Sequence, residues 1–107
     1  MGTLPVELQA LATHAAEAES LLKAMANRNR LMILCTLHEG EFSVSELNAR
    51  IPLSQSALSQ HLATLRRARL VDTRRDAQNV YYRLSEPLAG AVIAALHAYY
   101  CGAHPVR

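Results

Sequence analysis

The chain has no apolar run long enough to cross a bilayer. Its longest, residues 31–34 and 91–96, fall far below the ~20 residues that a transmembrane helix needs, so no membrane partner is expected. It has no basic start leading into a continuous apolar stretch, so no signal peptide is expected and the reading is a cytoplasmic protein. Cysteine is scarce: Cys35 and Cys101 are the only two in 107 residues, and they lie far apart. In a reducing cytosol such a pair rests as thiols, which argues against a permanent structural disulfide. A nucleophile elbow, a phosphate-binding glycine loop and a paired-carboxylate set are all missing, so catalysis is not expected. Internal repeats, linkers and low-complexity stretches are absent too. The expectation is one domain over residues 1–107, in a chain too short for two cores.

What is present is ordinary in bulk and uneven in detail. Half of the residues are hydrophobic, 19% are charged, and the net charge is +2. Residues 50–83, however, carry Arg50, Arg66, Arg67, Arg69, Arg74, Arg75 and Arg83 against Asp72 and Asp76, a local net of +5. Residues 1–49 set Lys23, Arg28 and Arg30 against six glutamates, a net of −3, and the remainder is neutral. A basic middle between acidic and neutral ends is the footprint of an element that faces DNA. A merely solvated arginine-rich surface would give the same charges.

Apolar periodicity predicts a first helix over residues 4–25, with Leu4, Leu8, Leu11, Ala15, Ala18, Leu22 and Met25 on one stripe. Asn27 caps a second helix with Leu31, Leu34, Cys35 and His38 on its stripe, and Gly40 ends it. Ser43 and Glu46 form a capping box for a short third helix that turns Val44, Leu47 and Ile51 inward, and Pro52 stops it. Ser54 caps a fourth helix running to about Ala68, with Leu58, Leu62 and Leu65 inward. The period then changes to two: Val71, Thr73 and Arg75, and then Val80, Tyr82 and Leu84, flank the polar tip 76–79 as a hairpin. Ser85 is the expected cap of a last helix, with Pro87 in its first turn, an apolar stripe of Leu88, Ala91, Val92, Ala95 and Tyr99, and Gly102 as its stop.

The resulting fold is mainly α with a small β-hairpin. Its order of four helices, hairpin and helix is that of a winged helix-turn-helix. The fourth helix leaves outside no acid and no lysine. Ser54 at its cap, then Gln55, Ser56, Ser59, Gln60, His61 and Thr64, form a neutral hydrogen-bonding set suited to base edges in a major groove. Arg66 and Arg67, with Arg69 beyond, follow where phosphates would lie. Arg74, Arg75, Gln78 and Asn79 make the hairpin a candidate wing for phosphates or the minor groove.

Three runs carry a family resemblance: Ala24-Met25-Ala26-Asn27, Arg30-Leu31-Met32-Ile33-Leu34 and Ser54-Gln55-Ser56-Ala57-Leu58-Ser59-Gln60-His61-Leu62. Together the chain resembles the ArsR/SmtB family of repressors over essentially its whole length. The resemblance implies a homodimer held by the first and last helices. Its two recognition helices would enter successive major grooves of an inverted repeat in double-stranded operator DNA. Two amphipathic outer helices on so small a chain agree with a second copy covering them.

Metal sensing is widespread in that family, so ligand sets matter. Residues 43–50 contain no cysteine, and the last helix lacks the carboxylate-histidine set some members carry there. His97, Cys101 and His104 remain as an alternative mixed N and S set; no cofactor is expected. Cys35 and Cys101, taken with residues 54–62 and Asp76-Ala77-Gln78, are similar instead to the family's dithiol subgroup of biofilm growth-associated repressors and haemolysin regulators. That resemblance implies a sensor of persulfide or other oxidants, with Cys35 and Cys101 joined within one subunit. Both cysteines fall near helix C-termini, where the dipole disfavours a thiolate; His38 and His97 stand close in sequence as compensating groups. Two cysteines acting as small hydrophobes are the plainer alternative.

Overall fold

The computed structural model describes residues 5–102. Within them run α1 (Val6–Met25), α2 (Arg28–Leu37), β1 (Phe42–Ser43), α3 (Val44–Arg50), α4 (Gln55–Arg67), β2 (Val71–Asp76), β3 (Asn79–Leu84) and α5 (Pro87–Cys101). The winged helix-turn-helix order is as expected, with one addition. The hairpin is part of a three-stranded antiparallel sheet in the order β1-β3-β2. Phe42 pairs with Tyr82 and Ser43 with Tyr81. A two-residue strand leaves no periodic signature, so the pattern could not announce it.

The predicted caps hold in most places. The Asn27 side chain accepts from the Asn29 and Arg30 amides at 3.0 and 3.1 Å. Ser43 and Glu46 close a reciprocal capping box, and the Ser54 hydroxyl oxygen accepts from the Ala57 amide at 3.1 Å. At α5 the cap is Glu86 instead of Ser85. The Glu86 carboxylate accepts from the Leu88 amide at 2.9 Å, while the Ser85 amide continues toward the sheet and donates to the Leu70 carbonyl at 3.0 Å. At the other end, α1 starts at Val6 after Pro5, and Leu4 of the expected stripe lies outside the described residues.

The core is built from Ala24 and Met25 of α1, Ile33, Leu34 and Leu37 of α2, Leu47 of α3 and Ile51 just after it, Leu58, Leu62 and Leu65 of α4, Leu70 and Val71, and Ala89 and Ile93 of α5. Among the described residues every fully buried side chain is hydrophobic. The buried stripe of α2 is turned from the expected one: Leu31 and Cys35 are half-buried and His38 is exposed. That rotation follows from α2 packing on α4, α5 and β3 together, which draws Ile33 and Leu37 inward. Losing a methylene-rich side chain such as Leu62 from this close-packed centre would cost about 2–5 kcal/mol.

The outer helices behave differently. On α1, Leu8, Leu11 and Leu22 of the expected stripe stay exposed, and burial is confined to Ala24 and Met25. On α5, Leu88, Ala91, Ala95 and Tyr99 face outward, Val92 is half-buried, and Ala89 and Ile93 are the residues that meet the core. The radius of gyration is 16.3 Å and the longest dimension 55 Å, against ~13 Å for a compact domain of about 100 residues. The chain is therefore elongated, with apolar faces along both outer helices. No helix among the described residues is long and apolar enough to cross a membrane.

Candidate nucleic-acid interface and dithiol pair

The turn between α3 and α4 is held from inside. Asn48 donates its side-chain amide to the Leu53 carbonyl at 2.7 Å, and the Leu53 amide donates to the Ile51 carbonyl at 2.8 Å around Pro52. With Leu58, Leu62 and Leu65 buried, helical periodicity leaves Gln55, Ser56, Ser59, Gln60, Arg66 and Arg67 exposed, together with Ala63. His61 and Thr64 sit at the flanks and are half-buried. Thr64 donates to the Gln60 carbonyl at 3.1 Å and accepts from the Arg67 guanidinium at 3.4 Å, so it orients its neighbours. Ser54 spends its oxygen on the cap, and its hydroxyl lies 3.3 Å from that of Ser56.

Two grooves tie this face to the sheet. One, of about 430 Å³, brings Gln55 of α4 together with Gln78 and Asn79 of the wing tip and with Ser43, Ser45 and Asn48 of the α3 region. The other, of about 420 Å³, runs between Tyr82 and Ser59, Ala63, Arg66 and Arg67. The exposed face of α4 and the wing thus border two shared grooves. Ser45, Asn48 and Ala63 line them and were not singled out from sequence, and Ser43 was read only as a cap. The serine pair at the start of the third helix was the available signal. The wing turns through Ala77 and Gln78 between the paired Asp76 and Asn79, with Ala77 at a φ of 56°.

The arginines of the basic segment divide into two groups. Arg50 meets Glu39 at 3.6 Å and lies over the Phe42 ring, while Arg74 and Arg83 meet Glu41 at 2.9 and 3.9 Å. The Arg74 hydrogen bond and charge hold the Glu41 carboxyl below the usual carboxylate range, with Arg83 acting the same way. Arg66, Arg67, Arg69 and Arg75 have no carboxylate at ion-pair distance among the described residues. Arg69 is set apart from the reading face. It lines a cavity of about 620 Å³ with His14 and Glu17 of α1 and Glu86 and Leu88 near the start of α5.

Helix α2, which carries Cys35, packs on α5, which ends at Cys101. Both are free thiols; Cys35 is half-buried against the core and Cys101, the last residue of α5, is exposed. Burial pushes the Cys35 thiol up, and the nearby Cys101 pushes it in the same direction. His38, exposed at the C-cap of α2, is not among the influences on Cys35. Among the described residues no three His, Cys, Asp or Glu side chains come together as a metal set. His97 and Cys101 are one helical turn apart on α5, while His104 of the alternative set lies outside the described residues.

Comparison with known proteins agrees with this geometry. Residues 27–73 match the family described as bacterial regulatory protein, arsR family. The transcriptional activator HlyU of Vibrio cholerae is 55% identical over 94% of this chain and 93% of its own. The biofilm growth-associated repressor of Agrobacterium fabrum is 48% identical over 94% of this chain and 85% of its own. The structure of reduced HlyU from Vibrio cholerae superposes with a TM-score of 0.82 at 56% identity, over 87% of this chain and 98% of that one. The chain belongs to the ArsR family of bacterial regulatory proteins and is a winged helix-turn-helix, DNA-binding transcriptional regulator.

Proposed function

We propose that this protein is a homodimeric repressor of the cytoplasm that leaves its operator when reactive sulfur or another oxidant joins Cys35 to Cys101. The observation that carries the reading is that the chain's only two cysteines lie on two helices that pack together, Cys35 on α2 and Cys101 at the end of α5. A similar protein named as a repressor and another whose structure is described as reduced support it. The elongated protomer, with exposed apolar residues along α1 and α5, supports a second copy seated on those helices. The dimer would set two α4 helices about 34 Å apart, one helical turn of DNA. Ser54, Gln55, Ser56, Ser59 and Gln60 then face base edges, His61 and Thr64 flank them, and Arg66, Arg67, Gln78 and Asn79 meet the backbone.

Exposure gives Cys101 first contact with a reagent, and half-buried Cys35 resolves the adduct. Two thiols and one inorganic trisulfide, H₂S₃, yield a three-sulfur bridge and two H₂S. A symmetrical disulfide reagent yields a direct S–S bond and two reagent thiols. In each case the cysteines lose two electrons to the reagent's sulfur–sulfur bonds.

The test uses a duplex selected from random sequence by the reduced protein. Wild type, Cys35→Ser and Cys101→Ser are titrated with it before and after polysulfide. All three should bind alike when reduced, and only wild type should weaken after treatment, by about 5–150-fold. Intact mass should show a bridge in wild type and an open adduct on Cys101 in Cys35→Ser. Release of either single mutant by polysulfide would overturn the switch.

A further inference from the structure

The two arginines of the wing stand on opposite faces of the sheet. Arg75 lies across from Val80, on the face of Thr73 and Tyr82, and Tyr82 borders the groove shared with Arg66 and Arg67 of α4. Arg74 lies across from Tyr81. Its guanidinium is 4.9 Å from the Tyr81 ring centre and donates from Nε to Glu41 at 3.0 Å, with Nη2 at 2.9 Å from the same oxygen. Glu41 also reaches Arg83, on the Tyr81 side of β3, at 3.9 Å. The Glu41 side chain is 32% exposed and those of Arg74 and Arg83 are 47% and 52% exposed, so one carboxylate and two guanidinium groups form a surface cluster. While it holds the carboxylate and the ring, Arg74 keeps its Nε and Nη2 edge from a phosphate and has Nη1 left to offer.

We propose that Glu41 is a positioning residue that sets the charge the wing offers to DNA: it withholds Arg74 and Arg83 and leaves Arg75 as the wing's phosphate-contacting arginine. The inference rests on the reading that α4 and the wing bind duplex DNA. Its consequence is a ceiling on sequence-independent affinity, which arises almost entirely from neutralised phosphates and released counterions. Two more mobile arginines per wing would hold the protein on any duplex. Glu41 prevents this within the fold, from the loop that follows α2.

The experiment measures binding of the reduced protein to a random-sequence duplex from about 50 to about 200 mM salt. Arg75→Ala should flatten the slope of log affinity against log salt by about 0.9 for each lost contact. Arg74→Ala should leave it unchanged. Glu41→Gln should steepen it by a similar amount per arginine released and raise affinity at low salt roughly tenfold. The double variant Glu41→Gln with Arg74→Ala should give back part of that gain. A residue that merely braced the wing would instead lose affinity on Glu41→Gln. The proposal is overturned if Arg74→Ala flattens the slope as much as Arg75→Ala, a comparison that needs no substitution at Glu41. It is overturned equally if a folded Glu41→Gln binds no more tightly than wild type. The underlying reading has its own control: Arg67→Ala must flatten the slope, and failure there sinks the DNA-facing assignment itself.

Discussion

Replacing Arg69 with glycine should raise stability even though it deletes a charged side chain and adds no contact. Helix α4 ends in a Schellman arrangement: the Arg69 amide donates to the Arg66 carbonyl and the Leu70 amide to the Leu65 carbonyl, both at 3.0 Å. The residue that closes this motif must be left-handed, and Arg69 has a φ of 65°. For a residue with a Cβ that conformation costs about 1–2 kcal/mol. Glycine removes the strain but loosens the unfolded chain, which offsets about 0.4–1 kcal/mol. The net gain is about 0.5–1 kcal/mol, or about 2–8 °C in Tm for a domain of this size. Thermal unfolding followed by circular dichroism, on reduced protein at fixed concentration, measures it. Arg69→Ala is the needed control, because it removes the same side chain and keeps the strain. If Arg69→Gly melts no higher than Arg69→Ala, the backbone argument is wrong.

Gln60→Ala should relax sequence preference by about 1–3 kcal/mol while sparing random-duplex affinity; parallel titrations with selected and scrambled duplexes check it. Leu11→Asp and Leu88→Asp, at positions 61% and 52% exposed in the protomer, should leave the fold intact and yield monomers in sedimentation. A surviving dimer would remove α1 and α5 from the contact. Bridge closure after modification of Cys101 should speed up as pH rises above neutral, because its Cys35 nucleophile is held protonated by burial. The same raised thiol makes any linked stability full below the unfolded cysteine value and lost as pH climbs through the folded one. A quenched-reaction mass series giving a flat rate profile would refute that assignment of nucleophile.

The parts of this molecule legible in its sequence are those fixed by neighbours a few residues apart. Asn27, the Ser43–Glu46 box, Ser54 and Pro52 each act over one helical turn, and each marks a boundary that the structure keeps. Ser85 and Glu86 show where such reasoning fails. Both are able to cap, and the choice falls to Glu86 because the sheet claims the Ser85 amide through Leu70. The charge pattern was legible only as a total. The Glu41–Arg74 contact joins residues 33 apart, and no local period announces which arginines an acidic loop will hold. The apolar stripes of α1 and α5 were readable as stripes, but periodicity does not say whether the chain itself or another surface covers them.

The same packing accounts for how a sulfur bridge would reach the DNA. Helix α2 is shared: Ile33, Leu34 and Leu37 are buried in the core, Cys35 lies on its flank, and α2 touches α4, α5 and β3. A core packed this closely does not absorb displacement locally, so tying α2 to the end of α5 moves α4 or strains it. Two α4 helices in a dimer must meet grooves about one turn apart, and a coupling of about 1–3 kcal/mol is enough to change occupancy 5–150-fold. A bridge of this kind would set whether DNA is held, not what holding it does. The similar proteins carry the names of an activator and a repressor.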